Sequence, residues 1–546
     1  MFRMTDWTSD LQTVAFFAAV VPLLYYVYWR IANRRLLQLA AKIPGPPGLP
    51  LLGNLLEFTG SPTEIFEKLV EKSYQYEDVI KVWFGPRLFV FLTNPVDIEV
   101  LLTSTEHIEK SVEYDFMKPW LGDGLLISSG QKWFTHRKVI AQTFHLNILR
   151  SFLGKFNENA KKLVKYFEDE TGNEFDCRRY MCKYTAETLI DTVMGADKDQ
   201  LGFESPVYSG ATTKLCELVH LRHTKLHFRS DLLFNSTKHG FEHKKFVSLV
   251  HDFSAKVIKF KKSQRELLKP SPFIEKFDDI RKEDKSLTHY EKSTGISYGQ
   301  SSGLKDDLDN EVIGRKKKCA FLDTLLEKEA NREVFSMKDV QDQIDTLMFE
   351  GHDTTAGVSS MFLCLMATNL DVQAKCVEEL EKIFGDSDRD VTFEDTYEMK
   401  YLERCVMETL RIYSPVPVIA RNLKKELTLV TNNITLPVST TVIVAIFKLH
   451  RREDLYPNSE KFNPDNFIQE KTAARSFYSF IPFSAGPRSC VGRKYAILKL
   501  KVVLSTILRN YQITTSCPME SWKLQADITL KRTDGFKIKL IPRKNA

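Results

Sequence analysis

Cys490 lies in the run Phe483-Ser484-Ala485-Gly486-Pro487-Arg488-Ser489-Cys490-Val491-Gly492, whose residue types suit a cysteine that ligates a haem iron. Phe483 can cover the sulfur, Gly486 lets the backbone turn close to a porphyrin, Arg488 reaches a propionate, and Gly492 leaves room where a helix begins. That helix, expected from about residue 491 to residue 509, aims the positive end of its dipole at the sulfur and favours the thiolate. A thiolate ligand donates electron density that favours cleavage of the oxygen–oxygen bond. An isolated cysteine is more often a buried structural residue. The flanking Phe, Arg and two Gly tell against that reading here.

A second constellation is Glu350-Gly351-His352-Asp353-Thr354-Thr355, midway along a helix expected from Ser336 to Leu370. At 1.5 Å per residue this helix is about 50 Å long, and Ser336-Met337-Lys338-Asp339 resembles a capping box at its start. Burying Glu350, Asp353 and Thr354 is costly unless they have partners or a role. Gly351 removes a side chain where a flat ligand or oxygen could approach, Thr354 is placed to hydrogen-bond bound oxygen, and Asp353 to relay protons from solvent. Taken alone, the motif reads equally as a local kink with threonines bonding back to helix carbonyls. Its company with Cys490 favours chemistry.

Cations form a third set. Trp133 and Arg137, four apart in a helical run, share a face. Arg421, at the end of a strand beginning near Val416, and Arg488 complete a group of expected propionate partners. Glu408 and Arg411, three apart, lie on a helix whose Leu402, Val406 and Leu410 mark a buried face and which Pro415 and Pro417 terminate.

The Cys490 run resembles the haem-binding signature of the cytochrome P450 superfamily. The helix bearing Asp353 and Thr354 resembles its oxygen-activating helix, Glu408 to Arg411 its ExxR pair, and Trp133 to Arg137 the helix whose outer face receives a reductase. The resemblance implies a mainly α fold with small β-sheets and haem b as cofactor. It implies monooxygenation with O2 and electrons from NADPH-cytochrome P450 reductase, cytochrome b5 being a second donor. Glu408 and Arg411 would then hold the cysteine region in place. An arginine from a later segment completes that network in many members, whereas here Asn466 stands in its position, so the third charge is expected to be missing. Ser414 replaces a proline common in the family, with little functional effect expected. The form Phe349-Glu350-Gly351-His352-Asp353-Thr354-Thr355 looks like family 4, many of whose members join this glutamate to haem as an ester, which makes Glu350 a candidate attachment point.

Three further stretches resemble the insect subfamily G: an insert at 281–318, Leu221-Arg222-His223-Thr224-Lys225, and the run from Ser484 to Leu504. That resemblance implies oxidative decarbonylation of long-chain fatty aldehydes in cuticular hydrocarbon synthesis. Family 4 more broadly implies ω-hydroxylation of fatty acids. A P450 that rearranges peroxides needs no acid–alcohol pair such as Asp353 and Thr354, and a haem sensor without turnover needs no reductase.

These motifs sit in a chain of 546 residues, 43% hydrophobic and 11% aromatic, ample to enclose an apolar cofactor. The net charge of +6 from 77 basic and 71 acidic residues is mild. Without a basic tract interleaved with aromatics it gives no sign of nucleic acid binding, and a basic face for a redox partner fits better. Nine cysteines without a CxxC pair suit a reducing compartment.

Leu11 to Trp29 is an uncharged, mostly apolar stretch of 19 residues, preceded by Asp6 and Asp10 and followed by Arg30, Arg34 and Arg35. This predicts a single-pass anchor in the endoplasmic reticulum membrane with the catalytic body in the cytosol. A cleaved signal peptide would have a shorter apolar region and a small-residue cleavage site. Pro44-Gly45-Pro46-Pro47-Gly48-Leu49-Pro50 reads as a stiff hinge. The expected organisation is therefore an anchor at 1–30, a basic and proline-rich hinge at 31–50, and a catalytic domain at 51–546. Within that domain the Lys-, Ser-, Gly- and Asp-rich insert at 281–318 is expected to be an exposed, mobile loop.

Overall fold

The computed structural model describes residues 5–76, 78–267, 296–301, 304, 320–331 and 334–543. Six helices matter most to the site: α1 (Thr5–Ala32), α2 (Gly130–Gln142), α3 (Arg178–Leu189), α4 (Met337–Thr368), α5 (Lys400–Ile412) and α6 (Arg493–Asn510). The architecture is mainly helical with small sheets, as expected.

The central helix α4 begins where its sequence says it should. Ser336 Oγ accepts the Asp339 amide at 3.1 Å, and Asp339 Oδ2 accepts the Ser336 amide at 2.9 Å, closing a capping box. Its 32 residues are buried along most of their length, so its apolar side chains stabilise the fold by packing on every side rather than along one stripe. α3 crosses it, and α5 and α6 pack against it. The helix ends at Thr368, two residues short of the expected Leu370.

The largest sheet has four strands: β1 (Val79–Phe84), β2 (Arg87–Leu92), β3 (Ile419–Asn422) and β4 (Thr441–Val444), in the order β1-β2-β4-β3. β2 runs parallel to β4, with Phe89 opposite Thr441, and β3 runs antiparallel to β4, with Arg421 opposite Val442. The period of two sends Ile419 and Arg421 to the buried side.

α1 extends through the expected anchor and exposes Phe16, Phe17, Leu23, Leu24 and Tyr28. Among the described residues, no single helix is long and apolar enough to cross a membrane.

Of the expected mobile insert, only 296–301 and 304 fall within the described residues, and they depart from an exposed loop. Ile296–Ser297 pairs with Gln300–Ser301 in a hairpin whose turn, Tyr298-Gly299, has φ of +46° and +78°. Tyr298 is buried, its hydroxyl 3.2 Å from that of Tyr397. A Cβ on Gly299 would stand 2.6 Å from the Phe483 ring. Composition suggested solvent because the segment is polar overall. One aromatic side chain and one glycine suffice to seat its tip beside the cysteine loop.

Candidate active site

The loop carrying Cys490 reverses direction at Ser484 and Gly486, with φ of +60° and +69°. The Cys490 amide donates to the Phe483 carbonyl at 2.9 Å, and the Ser489 amide to Gly486 at 2.9 Å. A Cβ on Gly486 would lie 2.1 Å from the Leu102 carbonyl oxygen. Gly486 thus makes the turn expected of it, and close packing on the Pro95–Thr103 helix is a further reason for a glycine here. α6 starts at Arg493, two residues later than expected, and the Gly492 amide donates toward the sulfur. Burial nevertheless pushes the Cys490 thiol up to about 11, with Glu350 adding to the rise and the Gly492 amide and Arg137 opposing it. The start of α6 thus acts in the expected direction, favouring a thiolate against the cost of burial. A coordinated cation holds the thiolate outright.

Cys490 opens onto a cavity of about 490 Å³ whose wall is mostly apolar. Phe483, Trp133, Arg137, Arg488, Glu350 and Thr354 all reach that wall. Arg137 donates to the Ser489 carbonyl at 2.7 Å. The Arg488 guanidinium donates to the carbonyls of Ile108, Leu125 and Ser128 at 3.2, 3.2 and 2.5 Å and lies 4.3 Å from the Trp133 ring centre.

Arg421 is buried behind the wall instead, with Nη1 3.2 Å from the Ala420 carbonyl. The wall position expected for it is taken by Lys110, whose backbone bridges to Arg421. Burial, then the charges of Arg421 and Arg488, drive the Lys110 amine well below its usual range. Burial and the neighbouring Arg421 push Arg488 down to about 9. Cations that repel one another in a buried place are relieved by a dianion. Haem b, with two propionates at this rim and its iron at Cys490, fits the donor set.

Across the cavity, α4 presents a turn whose carbonyls are taken by side chains. His352 Nδ1 bonds Met348 O at 2.9 Å, Thr354 Oγ1 donates to Glu350 O at 2.6 Å, Thr355 to Gly351 O at 3.0 Å, and Thr185 of α3 to His352 O at 3.1 Å. Such bonds compete with the backbone ladder and loosen a helix locally. The back-bonded threonines are present, in a helix that continues through the motif, and Glu350 and Thr354 of the same turn line the cavity. A Cβ on Gly351 would meet the Leu189 side chain at 3.0 Å, so this glycine admits α3 rather than a ligand, which corrects the expectation for it. Burial pushes the Glu350 carboxyl up to about 7, against the pull of Lys110 and Arg137.

Asp353 points away from the cavity toward α3 and the C-terminal segment. Arg178 Nη2 donates to Oδ1 at 2.7 Å and Thr529 Oγ1 to Oδ2 at 2.7 Å. Burial raises its carboxyl, and the Arg178 charge, with His352 and Thr529, outweighs this and holds it below the ordinary range.

Glu408 and Arg411 are wholly buried and joined by two bonds of 2.7 Å. Arg411 also donates to the His450 carbonyl at 2.8 Å, and Glu408 accepts the Asn463 amide at 2.8 Å and Asn466 Nδ2 at 3.1 Å. Arg475 then donates to the Asn466 carbonyl at 2.5 Å, with its guanidinium 4.5 Å from the Tyr456 ring centre. The third charge is thus present, nine residues beyond the expected position, with Asn466 as the spacer. Sequence inspection missed Arg475, Arg178, Thr529 and Lys110 because each is distant in the chain from the motif it completes. A lysine next to the apolar-aromatic stretch after residue 110 carried no periodic signal.

The cytochrome P450 family model matches residues 43–296 and 302–540. The chain belongs to the cytochrome P450 family. Cytochrome P450 4g15 of Drosophila melanogaster is 46% identical over 97% of this chain and 97% of its own length, and Cytochrome P450 4g1 of the same organism is 44% identical over 96% and 93%. Human Cytochrome P450 4V2 is 34% identical over 91% and 89%. The chain is therefore a family 4 P450 monooxygenase. P450s bind haem, take electrons from redox partners and act on lipophilic substrates.

Proposed function

We propose that this P450 converts long-chain fatty aldehydes to hydrocarbons one carbon shorter. The observation that carries the substrate class is the mostly apolar cavity, lined by Phe58, Phe66 and Phe91 as well as by Cys490 and Glu350, which suits a long alkyl chain beside the haem. The preference for an aldehyde rests on likeness to the two 4g relatives and on the insert. One O2 and two electrons with two protons balance loss of the carbonyl carbon as carbon dioxide, with one water and a hydrocarbon.

Cys490 would hold the haem iron, and Arg137, Arg488, Lys110 and Trp133 would hold its propionates. When bound, haem supplies the redox chemistry that activates oxygen. Thr354 presents its hydroxyl oxygen at the cavity wall, and donation of its proton to the Glu350 carbonyl fixes the orientation of that hydroxyl. Asp353, next to Thr354 in the turn, is itself held by Arg178 and Thr529, and its carboxylate is the group that relays protons from the side of the partly exposed Arg178. The apolar lining excludes bulk water around the aldehyde.

Electrons come from NADPH-cytochrome P450 reductase. Residues 1–30 anchor the chain in the endoplasmic reticulum membrane, 31–50 form the hinge and 51–546 the cytosolic catalytic domain. With reductase and NADPH, saturated aldehydes of several lengths should give alkanes shorter by one carbon. Exclusive ω-hydroxy or acid products would support ω-hydroxylation and overturn decarbonylation.

Glu350 is the proposed point of ester attachment, since a carboxyl pushed up to about 7 is partly neutral at physiological pH and stands on the cavity wall. Mild acid extraction should leave part of the haem on the chain, and Glu350→Ala should release all of it. Complete release from the unaltered protein would exclude the ester.

A further inference from the structure

Lys499 lies on α6 nine residues beyond Cys490, fully buried in the core. Its ammonium donates to the Gly351 carbonyl at 3.0 Å and stands 4.9 Å from the centre of the Tyr495 ring. Among the described residues it has no carboxylate partner. A buried ammonium with one acceptor and no counter-charge is unfavourable, and a methionine of similar length would fill the space without that cost. The carbonyl it holds belongs to the α4 turn that carries Glu350 and Thr354, and Thr355 Oγ1 already donates to the same oxygen. Of these donors the charged one makes the stronger bond. The helix that begins three residues after the iron ligand thus carries, less than two turns in, a cation that grips the α4 turn on the opposite side of the haem cavity.

We propose that Lys499 is a positioning residue of the monooxygenase, its ammonium fixing the Gly351 carbonyl so that the Thr354 hydroxyl and the Glu350 carboxyl keep their places at the cavity wall. Burial alone pushes the amine down to about 7, so its grip weakens within the physiological range as the charge is lost. The titratable groups that face it are His352 on α4 and Tyr495 on α6. Burial holds His352 below its ordinary range, and Tyr495 stays protonated at neutral pH, so neither supplies a compensating charge.

The full-length holoenzyme in reductase-containing membranes provides the test. Lys499→Met should retain haem and lower product formed per NADPH oxidised on the order of tenfold, with KM little changed. In the unaltered enzyme this coupling should fall from about pH 6 to about pH 8 more steeply than in the variant, whose remaining pH dependence is that of the Glu350 carboxyl, pushed up to about 7 on the same turn. Lys499→Gln, which keeps a neutral donor, should be intermediate in coupling and follow the same shallower pH profile as Lys499→Met.

Stability separates this role from simple packing. The folded state carries the charge only below about 7, whereas the unfolded chain carries it up to 10.5, so the lysine destabilises most at low pH and less as pH rises between these values. Lys499→Met should therefore melt higher than the unaltered holoenzyme, by most near pH 6 and by least near pH 9. Coupling in Lys499→Met equal to that of the unaltered enzyme overturns the proposal. Lower melting at every pH overturns it as well, because it makes Lys499 a packing residue.

Discussion

Cys490→Ala should fold but lose both turnover and the thiolate-type spectrum of the carbon monoxide complex. The loss is expected to be complete because no other cysteine reaches the cavity wall among the described residues. The fold should survive because the Cys490 side chain faces the cavity, and the loop is set by other groups: the amide bonds at 483–490 and the left-handed backbone at Ser484 and Gly486. Removing one sulfur from a cavity wall costs about 1 kcal/mol or less of stability. A carbon monoxide difference spectrum compared with a urea melt separates the two effects. A Cys490→Ala protein that kept the thiolate spectrum would refute the ligand assignment.

Arg411→Leu should have the largest effect on stability. Glu408 and Arg411 are both wholly buried, and removing the guanidinium leaves a carboxylate with the Asn463 amide and Asn466 as donors and only Arg475, beyond Asn466, as a nearby charge. Breaking such a pair costs about 3–5 kcal/mol, a large share of the 5–15 kcal/mol that holds a typical protein folded. The His450 and Lys461 carbonyls would lose their donor together. Urea unfolding should show the drop, and haem incorporation should fall with it because the 463–475 segment feeds directly into the cysteine loop. The double variant Glu408→Gln with Arg411→Leu should be less damaged than Arg411→Leu alone, since the stranded charge is gone. A change within about 1 kcal/mol for Arg411→Leu would show that the pair does not carry this part of the fold.

The motifs that were legible in the sequence are the ones whose parts are close in the chain. The cysteine run, the α4 capping box and the Glu408–Arg411 pair are each contained in ten residues or fewer, and local spacing was enough to place them. Contacts between distant segments were not legible. The role of Gly351 depends on Leu189, the packing of Gly486 on Leu102, and the restraint of Asp353 on Arg178 and Thr529. In each case a residue type was informative, and its direction was not. Arg421 shows the same limit, since a strand period places it on the buried side but does not say whether it or its bridged neighbour Lys110 lines the cavity. The hairpin at 296–301 was hidden for another reason. Composition averages over a segment, whereas one tyrosine and one glycine decide where its tip is seated.

The central claim is the fate of the aldehyde carbon. An aldehyde labelled with carbon-13 at the carbonyl, incubated with the enzyme, reductase and NADPH, should give an unlabelled hydrocarbon and labelled carbon dioxide. Label retained in an ω-hydroxylated or carboxylic acid product, with no hydrocarbon formed, would contradict it.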